Sequence, residues 1–135
     1  MSTFYWPIRV YYEDTDSGGM VYHASHLRFF ERARTEWLRD LGLEQDVLRQ
    51  ELGIAFVVHS INVLYRRPAR FNALLQVATR VLRRRRASLT FDQRILGDDN
   101  ELICEATVTV ACVDVATGSP KAVPDALTAE CIHAT

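Results

Sequence analysis

The chain is poor in cysteine, nearly devoid of lysine and without any long apolar run. Its three cysteines, Cys104, Cys112 and Cys131, are odd in number and in no CxxC spacing. Neither a disulfide framework nor a zinc ribbon is suggested, and a reducing cytoplasm fits best. No stretch approaches the ~18 apolar residues of a membrane span, and residues 1–7 lack the basic segment and apolar core of an export signal. The expectation is a soluble, unexported, cytoplasmic protein. Basic and acidic side chains number 16 and 17, leaving a formal charge of -1. A surface built as a whole for nucleic acid or anionic membrane is therefore not expected. Lys121 is the only lysine, so the positive charge is carried by arginine, the better fork for phosphate or carboxylate, although composition alone would give the same bias. At 135 residues, 48% of them hydrophobic, residues 1–135 are expected to bury one core as a single domain.

What is present is periodicity. Ile8, Val10 and Tyr12 alternate with Arg9 and Tyr11, as in a half-buried strand. Residues 13–19, EDTDSGG, have turn chemistry, no period, and backbone freedom at the glycines. Leu27, Phe30, Ala33, Trp37 and Leu41 recur at spacings of three and four, with Arg28, Arg32, Glu36 and Arg39 on the polar side and Gly42 placed as a left-handed cap. A shorter helix over 46–52 closes at Gly53, and residues 54–65 are rich in β-branched and aromatic side chains. Three alternating runs follow: Leu75 to Val81, Leu89 to Ile95 and Leu102 to Val110. Residues 97–100, GDDN, favour an antiparallel hairpin between the last two. The tail, with Pro120 and Pro124, reads as loop plus a short terminal helix. One early strand, a long helix and then strands without helices between them predict an α+β fold, the helix lying against the concave face of a largely antiparallel sheet.

Reactive side chains concentrate between Tyr12 and His26: Tyr12, Glu13, Asp14, Asp16, Tyr22, His23 and His26 around two glycines. A strand-to-helix junction aims unpaired N–H groups and the positive end of the helix dipole at what lies before it. A developing oxyanion would be stabilised there, and a loop carboxylate could act on the same centre. The same residues also suit an acidic turn with one aspartate as a helix cap. Spacing alone does not separate the two.

Residues 9–25, RVYYEDTDSGGMVYHAS, continuing to 29–39, FFERARTEWLR, resemble the signature of the 4-hydroxybenzoyl-CoA thioesterase family. More narrowly they resemble its branch associated with the Tol-Pal cell-envelope system. Residues 55–58, 65–69, 88–95 and 110–114 extend the likeness over nearly the whole chain. The resemblance implies a hot-dog fold, an antiparallel sheet wrapped around one long central helix, and hydrolysis of acyl-CoA or acyl carrier protein thioesters with no metal and no organic cofactor. It places the catalytic acid on Asp16 and the helix-start position on His23. The His23 N–H would polarise the carbonyl while Asp16 attacks it or activates water. The His23 side chain would orient water or protonate the leaving thiolate, as imidazole can near neutral pH. Tyr12 would line the acyl pocket or position Asp16.

One departure from the branch is His26, where a tyrosine is usual. His23 and His26 with Asp14 and Asp16 also resemble a metal-ligand set, which the family pattern does not need. The run Arg83 to Arg86 reads either as a solvated hairpin end or, through Arg84, Arg85 and Arg86, as a site for the phosphates of coenzyme A. It lacks the second basic stripe or aromatic platform of a nucleic-acid site. His59, His133 and the cysteines have no partner spacing and read as core or surface residues. Competing functions are a hot-dog hydratase or dehydratase and a module that holds acyl carrier protein or envelope partners with little turnover. An isolated subunit of this fold would leave a sheet edge open, so a homo-oligomer, a dimer of dimers, is expected.

Overall fold

The computed structural model describes residues 2–127. Cys131, His133 and the end of the expected terminal helix lie outside the described residues. The elements run β1 (Phe4–Arg9), a 3-10 turn (Tyr12–Asp14), α1 (Ser25–Asp40), α2 (Gln45–Leu52), β2 (Ile54–Tyr65), β3 (Leu74–Arg85), β4 (Ser88–Leu96) and β5 (Leu102–Asp114). All the strands join one antiparallel sheet in the order β1-β3-β4-β5-β2. This is the expected α+β arrangement. The chain returns from β1 to the sheet only after both helices, which is why α1 packs across the face of β1 and β3.

The first strand starts and ends earlier than its alternation suggests. Pro7, which cannot donate to a ladder, is tolerated because β1 is an edge strand. After Val10, whose N–H still reaches the Ala73 carbonyl at 2.9 Å, the backbone leaves the sheet. The cause is Asp14, whose Oδ2 accepts the Tyr11 N–H at 2.9 Å and curls residues 12–14 into a turn. Ile8 and Val10 are buried as expected, whereas Tyr12 is 77% exposed and does not continue their face.

Helix α1 buries Ser25, His26, Phe29, Phe30, Ala33, Arg34, Trp37 and Leu38. Its apolar face is thus rotated from the one expected: Leu27 is exposed, while Phe29 and Leu38 face the core. Each large apolar side chain buried this way contributes about 1.5–3 kcal/mol. The helix ends as anticipated, with Gly42 at φ +82°, the Gly42 N–H on the Arg39 carbonyl at 3.0 Å and the Leu43 N–H on the Leu38 carbonyl at 2.9 Å.

Beneath it the alternating residues of β3, β4 and β5 face inward. One row across the sheet, Phe4, Thr79, Gln93, Ala106 and Val63, is held in register strand by strand. Gln93 is fully buried, and both ends of its amide are used. Nε2 donates to the Phe30 carbonyl at 3.0 Å and to Thr79 Oγ1 at 2.9 Å, while Oε1 accepts from Arg34 Nη1 at 2.9 Å. This buried polar bridge pins α1 to one position over the sheet, since any slide would strand amide groups without partners. Among the described residues no helix is long and apolar enough to cross a membrane.

Candidate active site

The loop after the 3-10 turn is a miniature hairpin. The Asp16 N–H donates to the Met20 carbonyl at 2.9 Å, the Gly19 N–H to the Asp16 carbonyl at 3.0 Å and the Tyr22 N–H to the Asp14 carbonyl at 2.9 Å. Gly19 sits at φ +77°, which a side chain would strain, and a Cβ on Gly18 would come within 3.3 Å of Asp16 Oδ1. That closeness has a use. The Gly18 N–H donates to Asp16 Oδ1 at 2.9 Å, anchoring one carboxylate oxygen, while Oδ2 accepts no hydrogen bond from the described residues. Asp16 is exposed. It caps its own turn and not the helix, because the N-cap of α1 is Ala24 with no side-chain capping bond. The first turn of α1 contains no acidic residue of its own.

Asp14 is placed quite differently. It is 2% exposed, bonded through Oδ2 to the Tyr11 N–H, and its Oδ1 lies 3.8 Å from Arg28 Nη2 with no hydrogen bond. Arg28 in turn donates to Ser25 Oγ at 2.9 Å. Asp14 thus ties the end of β1 to the first turn of α1.

His23 is exposed beside Tyr22, its ring centroid 4.4 Å away. The His23 carbonyl accepts the Tyr65 hydroxyl at 2.8 Å and His26 Nδ1 at 3.1 Å. With a carbonyl as partner, Nδ1 carries the proton. His26 is 4% exposed, and burial pushes its pKa below the ordinary value, against the opposing pull of its bonds to the His23 and Tyr22 carbonyls. The residue is therefore a packed part of the helix's first turn. Among the described residues no group of three or more histidine, cysteine or acidic side chains could hold a metal ion.

The other residues singled out from the sequence fall in two places. Tyr12 stacks on Phe71, centroids 3.9 Å apart, along an open groove of about 430 Å³. The arginines lie elsewhere. Arg83 to Arg85 belong to β3, and a bulge at Leu82, between the Val81 and Arg83 pairs, shifts the strand's phase. Arg83, Arg85 and Arg86 then border a cleft of about 560 Å³ with His59, Thr90 and Thr109. Arg84 is partly buried, with its Nε enclosed and unpaired. Leu74, at the loop end of β3, and Arg85 are eleven strand steps apart, roughly 35 Å. One subunit does not bring the arginines to Asp16. Cys104 and Cys112 are buried, and burial pushes the Cys104 thiol up to about 12.

Sequence reasoning missed three residues of this neighbourhood: Asp14 as the tie, Phe71 as the partner of Tyr12, and Tyr65. The last two come from loops and strand ends more than 40 positions downstream and carry no local signal.

The model of the thioesterase-like superfamily matches residues 10–131. The chain is 49% identical over 127 residues to the Escherichia coli acyl-CoA thioester hydrolase YbgC, covering 94% of each. It is 45% identical over 130 residues to the Haemophilus influenzae acyl-CoA thioesterase YbgC, covering 96% of this chain and 95% of that one. The crystal structure of a probable thioesterase from Bartonella henselae superposes with a TM-score of 0.86 at 35% identity, over 91% of this chain and all of that one. The α+β frame and these likenesses agree: the chain belongs to the thioesterase-like superfamily, in the YbgC branch of acyl-CoA thioester hydrolases.

Proposed function

We propose that the protein hydrolyses acyl-CoA thioesters and that Asp16 does the chemistry. The observation that carries this is the state of its carboxylate: one oxygen is anchored by the Gly18 N–H and the other is left open among the described residues, on the loop that leads into a helix start without a capping side chain. The His23 N–H, with no acceptor among the described residues, is available to the thioester oxygen as charge develops there. Asp16 either attacks the carbonyl carbon, expelling the thiolate and forming an anhydride that water opens, or removes a proton from the attacking water. The His23 side chain orients that water or protonates the thiolate. Tyr12, stacked on Phe71, lines the groove for the acyl group.

The arginine cleft is proposed to take the phosphates of coenzyme A, and here the oligomer enters. Among the described residues strand β2 is a twelve-residue edge, unpaired on one side, with Val57, Val58, Ile61 and Leu64 exposed. Such an edge is a template for a second copy. Its Tyr65 end lies at the Asp16 loop, through the bond to His23, and its Ile54 end lies towards the arginines, through β5 and β4. Antiparallel pairing of two β2 edges would reverse one copy against the other and carry the partner's arginine end towards this Asp16. A dimer of dimers, each subunit one domain, working in the cytoplasm, is the assembly we propose.

Thiol release from acetyl-, butyryl-, octanoyl-, palmitoyl- and benzoyl-CoA, and from the matching acyl carrier protein thioesters, tests the activity. Light scattering in the same buffer tests the assembly. Hydrolysis of saturated thioesters separates the protein from a hydratase, and measurable turnover separates it from a passive binding module. No thiol release from any member, or an Asp16→Asn variant as active as the parent, overturns the reading.

A further inference from the structure

We propose that Tyr65 and His26 are positioning residues: by holding the His23 carbonyl they aim the Ala24 N–H as a second donor to the thioester oxygen, beside the His23 N–H. This rests on the junction being a thioesterase site. A carbonyl oxygen has two lone pairs, and both of His23's are taken, by the Tyr65 hydroxyl at 2.8 Å and by His26 Nδ1 at 3.1 Å. In a trans peptide the C=O and N–H of one unit point opposite ways, and no described peptide is cis. Fixing the His23 carbonyl towards Tyr65 and His26 therefore turns the Ala24 N–H away from them. The preceding peptide is held in a similar way, its Tyr22 carbonyl accepting the Ser25 N–H at 2.8 Å. Neither the His23 nor the Ala24 N–H has an acceptor among the described residues.

The two clamping groups are themselves located by packing. The His26 ring is enclosed between Tyr65, edge to face at 5.1 Å, and Phe29 at 6.2 Å. Tyr65 closes β2, so the last residue of the sheet's edge strand is what fixes the helix start 42 positions earlier. Its ring is half exposed while its hydroxyl is engaged, and partial burial moves its pKa upward, keeping it a donor. Without the hydroxyl, His26 alone would hold the carbonyl and the peptide could rock. The ground state would still bind, but the donors would no longer be set for the oxyanion.

The test is Tyr65→Phe, which deletes one oxygen from a half-exposed ring. The carbon-13 resonance of the His23 carbonyl should shift, reporting the lost donor. With the panel's most rapidly hydrolysed acyl-CoA, kcat should fall at least about fivefold with KM within about twofold and the melting temperature near the parent's. His26→Asn, whose amide can give a similar bond, should keep more of kcat than His26→Leu. An unmoved His23 resonance overturns the clamp. A moved resonance with kcat less than about fivefold lower, or with a loss confined to KM, overturns its role in positioning. Asp16→Asn, run alongside, keeps the two ideas separate: an active Asp16→Asn sinks the thioesterase reading of the loop, while the resonance still decides the clamp.

Discussion

Asp14 and Asp16 stand two residues apart on one acidic turn, and the fold gives them opposite surroundings. Asp14 is buried, bonded to the Tyr11 N–H and facing Arg28 across 3.8 Å. Asp16 is exposed, with one oxygen on the Gly18 N–H and one open. A carboxylate in the first setting is a structural tie, whose removal leaves the part-buried Tyr11 N–H contact without its acceptor. In the second it is held in direction and open to a substrate, as the proposed reagent must be. The pair shows how one short run of polar residues is divided between a buried tie and an exposed carboxylate by which side of the turn faces the core.

Substitutions can break the contrast in either direction. Asp16→Asn should lower kcat on the order of a hundredfold or more, since the charge needed for attack or base catalysis is gone. Its stability should change by no more than about 1 kcal/mol, because the amide oxygen still accepts the Gly18 N–H; steady-state kinetics and thermal melts read both. Asp14→Asn should do the reverse, losing about 1–3 kcal/mol to the broken tie with Arg28 while keeping most activity below its melting point. Denaturant titration measures that loss. If Asp14→Asn instead abolished turnover in a fully folded protein, the division of labour argued here would be wrong.

The arginine run allows a smaller test of the same kind, exposed against enclosed. Replacing Arg83, Arg85 and Arg86 by alanine should raise KM for acyl-CoA several-fold and leave short acyl thiols, which lack the phosphates, nearly unaffected. Arg84→Ala should leave KM alone. Equal effects of the triple change on both substrate types would reject phosphate recognition.

The smallest expected effect is on pH dependence. Burial holds the pKa of folded His26 below its ordinary 6.5, so between the folded and unfolded values the unfolded chain binds the extra proton. The stability this neutral imidazole contributes is present above 6.5 and is lost as pH falls through the folded value. The drop in melting temperature from about pH 7.5 to about pH 5.5 should therefore be shallower in His26→Asn than in the parent.

Much of this was legible in the sequence. The alternation of Leu75 to Val81 and of Leu89 to Ile95 marks the buried faces of β3 and β4, and Gly42 and Gly53 mark the helix ends, because side-chain period and left-handed backbone are local properties. The signature around Asp16 and His23 also survives without a structure, since those residues lie within one short loop. The likeness to a known family then supplies what periodicity cannot, the kind of reaction. What local rules could not supply is phase and partnership. The bulge at Leu82 decides which face of the sheet Arg83 and Arg85 take and which Arg84 takes, and the curl imposed by Asp14 takes Tyr12 off its strand; both are local shifts that redirect side chains.

The sequence by itself determined the order of the elements, the apolar faces that must be covered and the acidic loop between β1 and α1, all of them set by neighbours within a few residues. Only the tertiary structure decided which aspartate is the buried tie and which stands exposed, that Gln93 and Arg34 lock the helix to the sheet, and that Tyr65 reaches the His23 carbonyl. Each of these depends on groups brought together from distant parts of the chain, where burial and hydrogen-bond geometry, and not residue type, settle what a side chain does.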